Sequence, residues 1–154
     1  MLEFIINNVE DTLKLGKELG SRVKAGDIIC LTGDLGAGKT HFSKGIALGL
    51  GIEEHITSPT FTIVNEYESG RLKLYHFDVY RVNDPDEIYA IGFDEYIFDK
   101  GVSIIEWSNY IEELIPSEYL SINITKLPME GENFRKIVII PYGSRYDYVK
   151  EISL

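Results

Sequence analysis

The residues Gly33-Asp34-Leu35-Gly36-Ala37-Gly38-Lys39-Thr40 fit the pattern G-x-x-x-x-G-K-[ST], in which a glycine-rich loop wraps the phosphates of a nucleotide. Each residue type has a physical reason to be there. Glycine lets the backbone take positive φ and approach phosphate oxygens with no Cβ in the way. Successive N–H groups, with the first turn of the helix that follows, offer partial positive charge to an anion. Lys39 adds a full charge for the β- and γ-phosphates, and the Thr40 hydroxyl is an oxygen ligand for Mg²⁺.

A phosphate-bound Mg²⁺ needs further hard oxygens, and hydrolysis needs a group that orients water. Apolar strands ending in an acid bring carboxylates to the sheet edge beside such a loop. Two stretches have that form: Leu74-Tyr75-His76-Phe77-Asp78 and Val102-Ser103-Ile104-Ile105-Glu106. Asp78 and Glu106 are thus the two candidates for work on the metal, directly or through water. A solvated acid at a strand end is the alternative for either. Thr60, in the stretch Thr57–Val64, is a candidate γ-phosphate sensor in a loop entering a strand; a polar strand start is the alternative. His76 is a base or a core residue, Arg81 a partner for Asp78 or for phosphate, and Trp107 a cover over the site or a core aromatic. The guanine-reading strings Asn-Lys-x-Asp and Asp-x-x-Gly do not occur, which favours ATP.

The elements that must position these residues are legible on both sides of the loop. Asp27–Thr32 is an apolar run of buried-strand type feeding Gly33, and Phe42, Ile46, Ala47 and Leu50 follow at helical spacing before Gly51. Leu2–Ile6 predicts a strand. Val9–Lys24 predicts a helix capped by Asn8, with Val9, Leu13, Leu19 and Val23 near one face. Its Gly16 and Gly20 either permit close packing or are tolerated defects. Runs Thr62–Glu68 and Arg71–Tyr80 around Ser69-Gly70 predict a hairpin, so part of the sheet is antiparallel. Asp84-Pro85-Asp86-Glu87 starts a short helix ending near Ala90. Phe93–Phe98 predicts a further helical turn or two, and Asn109–Ile115 a helix stopped by Pro116. Two strands, Tyr119–Lys126 and Phe134–Pro141, flank a polar loop with Gly131. The tail Tyr142–Leu154 is weakly patterned.

Taken together, Gly33–Thr40, Ser58-Pro59-Thr60-Phe61-Thr62, Tyr75-His76-Phe77-Asp78-Val79-Tyr80-Arg81 and Ile105-Glu106-Trp107 resemble the TsaE (YjeE) family of bacterial ATPases. The likeness runs from the N-terminal helix to about Pro116 and more loosely beyond; Ser108 stands where many members have proline. It implies an α/β, P-loop NTPase-like three-layer fold whose mixed parallel and antiparallel sheet is flanked by helices. It implies an ATPase needed for the threonylcarbamoyladenosine modification at position 37 of tRNAs reading ANN codons, acting with a TsaB–TsaD pair. By matched motif, Leu35, Gly36, Ala37, Gly38, Lys39 and Thr40 hold the phosphates of ATP or ADP, and Thr40 and Glu106 serve Mg²⁺. Lys39, Asp78 and Glu106 are the catalytic candidates, and Trp107 matches a position associated with activity.

Composition bounds the rest. A chain of 154 residues with 44% hydrophobic and 26% charged residues suits one globular domain over residues 1–154. No apolar run nears the ~18 residues of a membrane span, and no basic, apolar, small-residue pattern opens the chain, so a cytoplasmic protein without membrane contact is expected. Cys30 is the single cysteine and reads as a small core residue. The net charge of −10 and the absence of a basic stripe imply that tRNA is met only indirectly, through a partner. A small-molecule kinase using the same loop is the competing enzyme class. It needs an acceptor pocket and usually a basic lid, and no arginine-rich segment supplies one.

Overall fold

A computed structural model describes residues 1–154. Seven strands form one sheet in the order β1-β7-β6-β2-β5-β4-β3. They are β1 (Leu2–Ile6), β2 (Ile28–Gly33), β3 (Val64–Tyr67), β4 (Leu74–Asp78), β5 (Val102–Glu106), β6 (Tyr119–Lys126) and β7 (Arg135–Tyr142). The central strands β6, β2, β5 and β4 run parallel, while β3, β7 and β1 are antiparallel to their neighbours. The mixed sheet expected from the hairpin signals and the family resemblance is present. Strands β2, β4 and β5 are apolar nearly throughout because helices cover both their faces.

One face carries α1 (Val9–Gly20) and α2 (Lys39–Gly49), which pack with Leu15, Leu19, Phe42 and Ile46 on Ile29, Leu31, Ile104 and Ile122. The other carries α3 (Pro85–Ala90), α4 (Phe93–Ile97) and a 3-10 helix, Ser108–Leu114, over Ile28, Cys30, Phe77 and Ile105. No helix is long and apolar enough to cross a membrane. The caps behave as the sequence suggests. The Asn8 side chain accepts from the Asp11 N–H, and Asp84 caps α3 with Pro85 in its first turn.

Some boundaries differ for identifiable reasons. Helix α1 ends at Gly20 rather than Lys24, because the Arg71 guanidinium takes the carbonyls of Gly20 and Val23 and terminates the helix there. Its buried stripe is Thr12, Leu15, Gly16 and Leu19, and Val9 lies exposed. Strand β3 starts at Val64 rather than Thr62, since Ile63 turns at φ +70 with its N–H on the Pro59 carbonyl. The segment after Trp107 is 3-10, broken at Ile111, instead of an α-helix. The tail is a second 3-10 helix, Ser144–Glu151, whose Tyr146 and Val149 are buried in the main core. It clasps the start of β2: the Tyr146 hydroxyl accepts from the Ile28 N–H at 2.9 Å, and Arg145 and Tyr148 both hold the fully buried Asp27.

The seam between α1 and α2 settles what Gly16 and Gly20 do. They face Gly45 and Gly49, so backbone meets backbone. A Cβ on Gly49 would meet the Lys17 carbonyl oxygen and lie 2.7 Å from the Gly20 Cα. This contact sets how closely α1 and α2 pack against each other. Alanine normally favours a helix interior over glycine by ~1 kcal/mol. Here Gly49→Ala is expected to destabilise instead, by about 1–3 kcal/mol of overpacking. Urea unfolding that showed a gain in stability would mean the helices can part freely.

Candidate functional site

Strand β2 delivers Gly33 to the carboxyl edge of the sheet, and α2 begins at Lys39. Between them the backbone takes left-handed angles at Gly36 (φ +75) and Gly38 (φ +109), conformations that L-residues with a Cβ adopt only at a cost. Gly38 is the N-cap of α2 and no side chain caps it, so the first N–H groups of an 11-residue helix are available to an anion. Lys39 bends back over the loop. Its Nζ donates to the carbonyls of Gly33 at 3.1 Å and Asp34 at 2.7 Å, and lies 4.1 Å from the centre of the Trp107 ring. Burial pulls its pKa below the ordinary lysine value, an effect opposed by the charges of Glu106, Asp34 and Asp78.

The register of the parallel strands brings both acids to this loop. Glu106 pairs with Leu31 of β2 on one side and with Asp78 of β4 on the other. Alternation puts both carboxylates on the α2 face of the sheet, and both line one cleft of about 500 Å³ with Lys39, Thr40, Thr60 and Trp107. The Asp78 Oδ1 accepts from the Tyr80 N–H at 3.0 Å. Burial, aided by the Glu106 charge, raises the Asp78 pKa against that hydrogen bond and the pull of His76 and Lys39. His76 is fully buried and its Nε2 is hydrogen-bonded to Glu106 Oε2. It is therefore a buried partner of a site acid, out of reach as a base.

The remaining candidates also find places. Trp107 adopts φ +64, a costly conformation for a bulky residue, and is stacked with Tyr110 (5.7 Å) and in tilted contact with Tyr80 (4.6 Å). It roofs Lys39 rather than filling the core. Arg81 lines the cleft but its guanidinium lies 4.8 Å from the Phe61 ring, with no contact to Asp78 among its hydrogen bonds or ion pairs. The Ser58 and Thr60 hydroxyls, 2.7 Å apart, face the same cleft. Sequence reasoning passed over Lys126, whose ammonium packs against Gly36, and Arg135, which donates to the Ala37 carbonyl at 3.1 Å. Both sit on the hairpin beyond the loop, where spacing along the chain carries no signal. Cys30 is buried and its thiol is pushed up to about 12 by burial, so it stays protonated and inert.

A larger cleft of about 600 Å³, between β6 and the 3-10 helix, shares only Trp107 with the first. Its lining is neutral but for Glu112 and holds no cation, so it has nothing to offer a phosphate. The donor set of the first cleft does suit a magnesium nucleotide. Lysine and free amides would face the anion, and Thr40 with one or two carboxylates would face the cation. No group of three His, Cys, Asp or Glu is placed to hold a metal ion by itself.

Comparison with known proteins agrees with this architecture. Residues 6–136 match the family model described as threonylcarbamoyl adenosine biosynthesis protein TsaE. A relative from Bacillus subtilis strain 168, named tRNA threonylcarbamoyladenosine biosynthesis protein TsaE, is 46% identical over 144 residues, covering 94% of this chain and 88% of its own. A relative of the same name from Treponema pallidum is 42% identical over 123 residues, covering 80% and 90%. The crystal structure of B. subtilis YdiB superposes with a TM-score of 0.84 at 41% identity, over 97% of this chain and 91% of that one.

The raised pKa of Asp78 has a measurable consequence. Below the unfolded value near 3.8 the carboxyl is protonated in both states. As pH rises through the higher folded value, the buried charge costs stability. Asp78→Asn removes that charge and keeps an acceptor for Tyr80. It is expected to be more stable than the parent at pH 7, with the difference closing toward pH 3.5. Thermal unfolding across that range checks it; a variant less stable at neutral pH would mean the ionised Asp78 is stabilised in place.

Proposed function

Because the chain belongs to the TsaE family, we propose that it is an ATPase subunit of tRNA threonylcarbamoyladenosine biosynthesis in the cytoplasm, binding and hydrolysing Mg²⁺-ATP to drive a TsaB–TsaD complex. The observation that carries the reading is the convergence of the loop Gly33–Thr40 with Asp78 and Glu106, register partners at the end of β4 and β5.

In this reading the amides of Leu35–Thr40 bind the phosphates, and Lys39 exchanges the Gly33 and Asp34 carbonyls for β- and γ-oxygens. Thr40 and Glu106 would hold Mg²⁺, which would supply charge stabilisation to the phosphoryl oxygens. Asp78, largely buried and already bonded to the Tyr80 N–H, orients the attacking water. Thr60, across the cleft, senses whether a γ-phosphate is present. The roof of Trp107, Tyr80 and Tyr110 excludes water from the lysine.

Arg81 is the one arginine that lines the cleft, and its guanidinium lies over the exposed Phe61 ring. Charge supplied in trans can raise phosphoryl-transfer rates by about 10³–10⁵, which is why the activity is assigned to a complex. A net charge of −10 repels the tRNA backbone and attracts a basic protein surface. The kinase alternative needs an acceptor pocket open to the γ-phosphate, and the second cleft meets the first only at Trp107.

Phosphate release measured with and without TsaB–TsaD tests the reading. Turnover is expected to be low alone, to rise on adding the pair, and to rise less as salt is increased. Asp78→Asn should depress stimulated turnover more than nucleotide affinity. Full activity without partners, tight salt-sensitive tRNA binding by the chain alone, or a fully active Asp78→Asn would each contradict it.

A further inference from the structure

His76 lies two residues before Asp78 on β4 and touches none of the groups assigned to phosphate. It is nonetheless wholly buried, with zero solvent exposure, on a strand otherwise filled by apolar side chains and Asp78. A polar ring in that position must have its hydrogen-bonding accounted for. Nε2 meets Glu106 Oε2, whereas Nδ1 is buried with no partner. Those two facts select a tautomer. A proton on Nδ1 would leave a buried N–H orphaned and set the Nε2 lone pair against a carboxylate oxygen. A proton on Nε2 satisfies the donor and leaves only a bare acceptor unpaired, the smaller cost.

The geometry points to His76 as a positioning residue, whose Nε2–H holds one oxygen of Glu106 so that the other is presented to the magnesium-nucleotide site. This inference rests on the assignment of Glu106 to Mg²⁺ made above. Its basis is the sheet itself. His76 pairs with Ile104 and Asp78 with Glu106, so His76 is the diagonal neighbour of Glu106 on the same face. Glu106 is 3% exposed, lines the cleft, and makes no other side-chain hydrogen bond. A glutamate has three side-chain torsions, and no other hydrogen bond fixes this one. Lys39 lines the same cleft and is an alternative attraction for the carboxylate. Held by His76, Glu106 does not close onto the lysine, which instead donates to Gly33 and Asp34. Carboxylates that bind metals are commonly oriented by such an outer partner, and its loss typically lowers metal affinity by about 10–100-fold.

The test compares the full chain with His76→Gln, whose Nε2 can reach the place of the imidazole Nε2, and with His76→Met, which fills similar space without a donor. ADP binding is followed by calorimetry as Mg²⁺ is varied, and again in EDTA. The parent and His76→Gln are expected to reach half-effect at similar Mg²⁺, and His76→Met to need about 10–100-fold more, while all three bind ADP alike in EDTA. His76→Met with the parent's Mg²⁺ dependence overturns the inference, as does equal loss in both variants, which would assign His76 to packing alone. If neither variant folds, imidazole ¹⁵N spectra of the parent decide: a proton on Nε2 supports the assignment and a bare Nε2 overturns it. A parent that binds ADP identically with and without Mg²⁺ would remove the metal role of Glu106 itself, and this inference with it.

Discussion

The pairing register of β2, β5 and β4 is the constraint on which the site depends. In a sheet, a slip of one residue turns every side chain to the opposite face. With Leu31, Glu106 and Asp78 aligned across three parallel strands, two carboxylates arrive on the face where α2 starts and where Lys39 folds over its loop. With the same strands one residue out of step, both acids would point into the apolar cluster of Phe77 and Ile105 on the far side. The burial of Ile29, Leu31, Ile104 and Phe77 therefore selects the arrangement of the charged groups, although none of those residues has chemistry of its own.

Ionisable side chains are concentrated where the apolar sheet ends. Lys39, His76, Asp78 and Glu106 are all classed with the interior, each less than a tenth exposed. Such groups are tolerated only when their charges and hydrogen bonds offset one another. Here the lysine is held by loop carbonyls and an aromatic face, Glu106 by His76, and Asp78 by a backbone N–H. The shifts of Lys39 downward and Asp78 upward are both caused first by burial.

Much of this was legible in the chain. The loop, its strand and its helix announce themselves because their chemistry is local and contiguous. The strands ending in Asp78 and Glu106 were visible as apolar runs with a terminal acid. That the two acids are register partners was not visible, because neighbour relations in a parallel sheet are tertiary. The pairing of His76 with Glu106 was hidden for the same reason, as alternation gives a face but not a partner. Gly16 and Gly20 read ambiguously, since glycine in a helix looks like a defect until the facing Gly45 and Gly49 are known. The tail looked unpatterned because its buried Tyr146 and Val149 follow 3-10 spacing, and the left-handed Trp107 has no signature at all.

The central claim is that Lys39, in its loop, is the anchor of a nucleotide site. Calorimetric titration of ADP with Mg²⁺ into the parent chain and into folded Lys39→Ala measures this most directly. Loss of a charge-assisted contact worth about 1.5–3 kcal/mol predicts a roughly ten- to hundredfold weaker affinity. An affinity unchanged in the folded variant would contradict the account and place the nucleotide, if it binds, somewhere else.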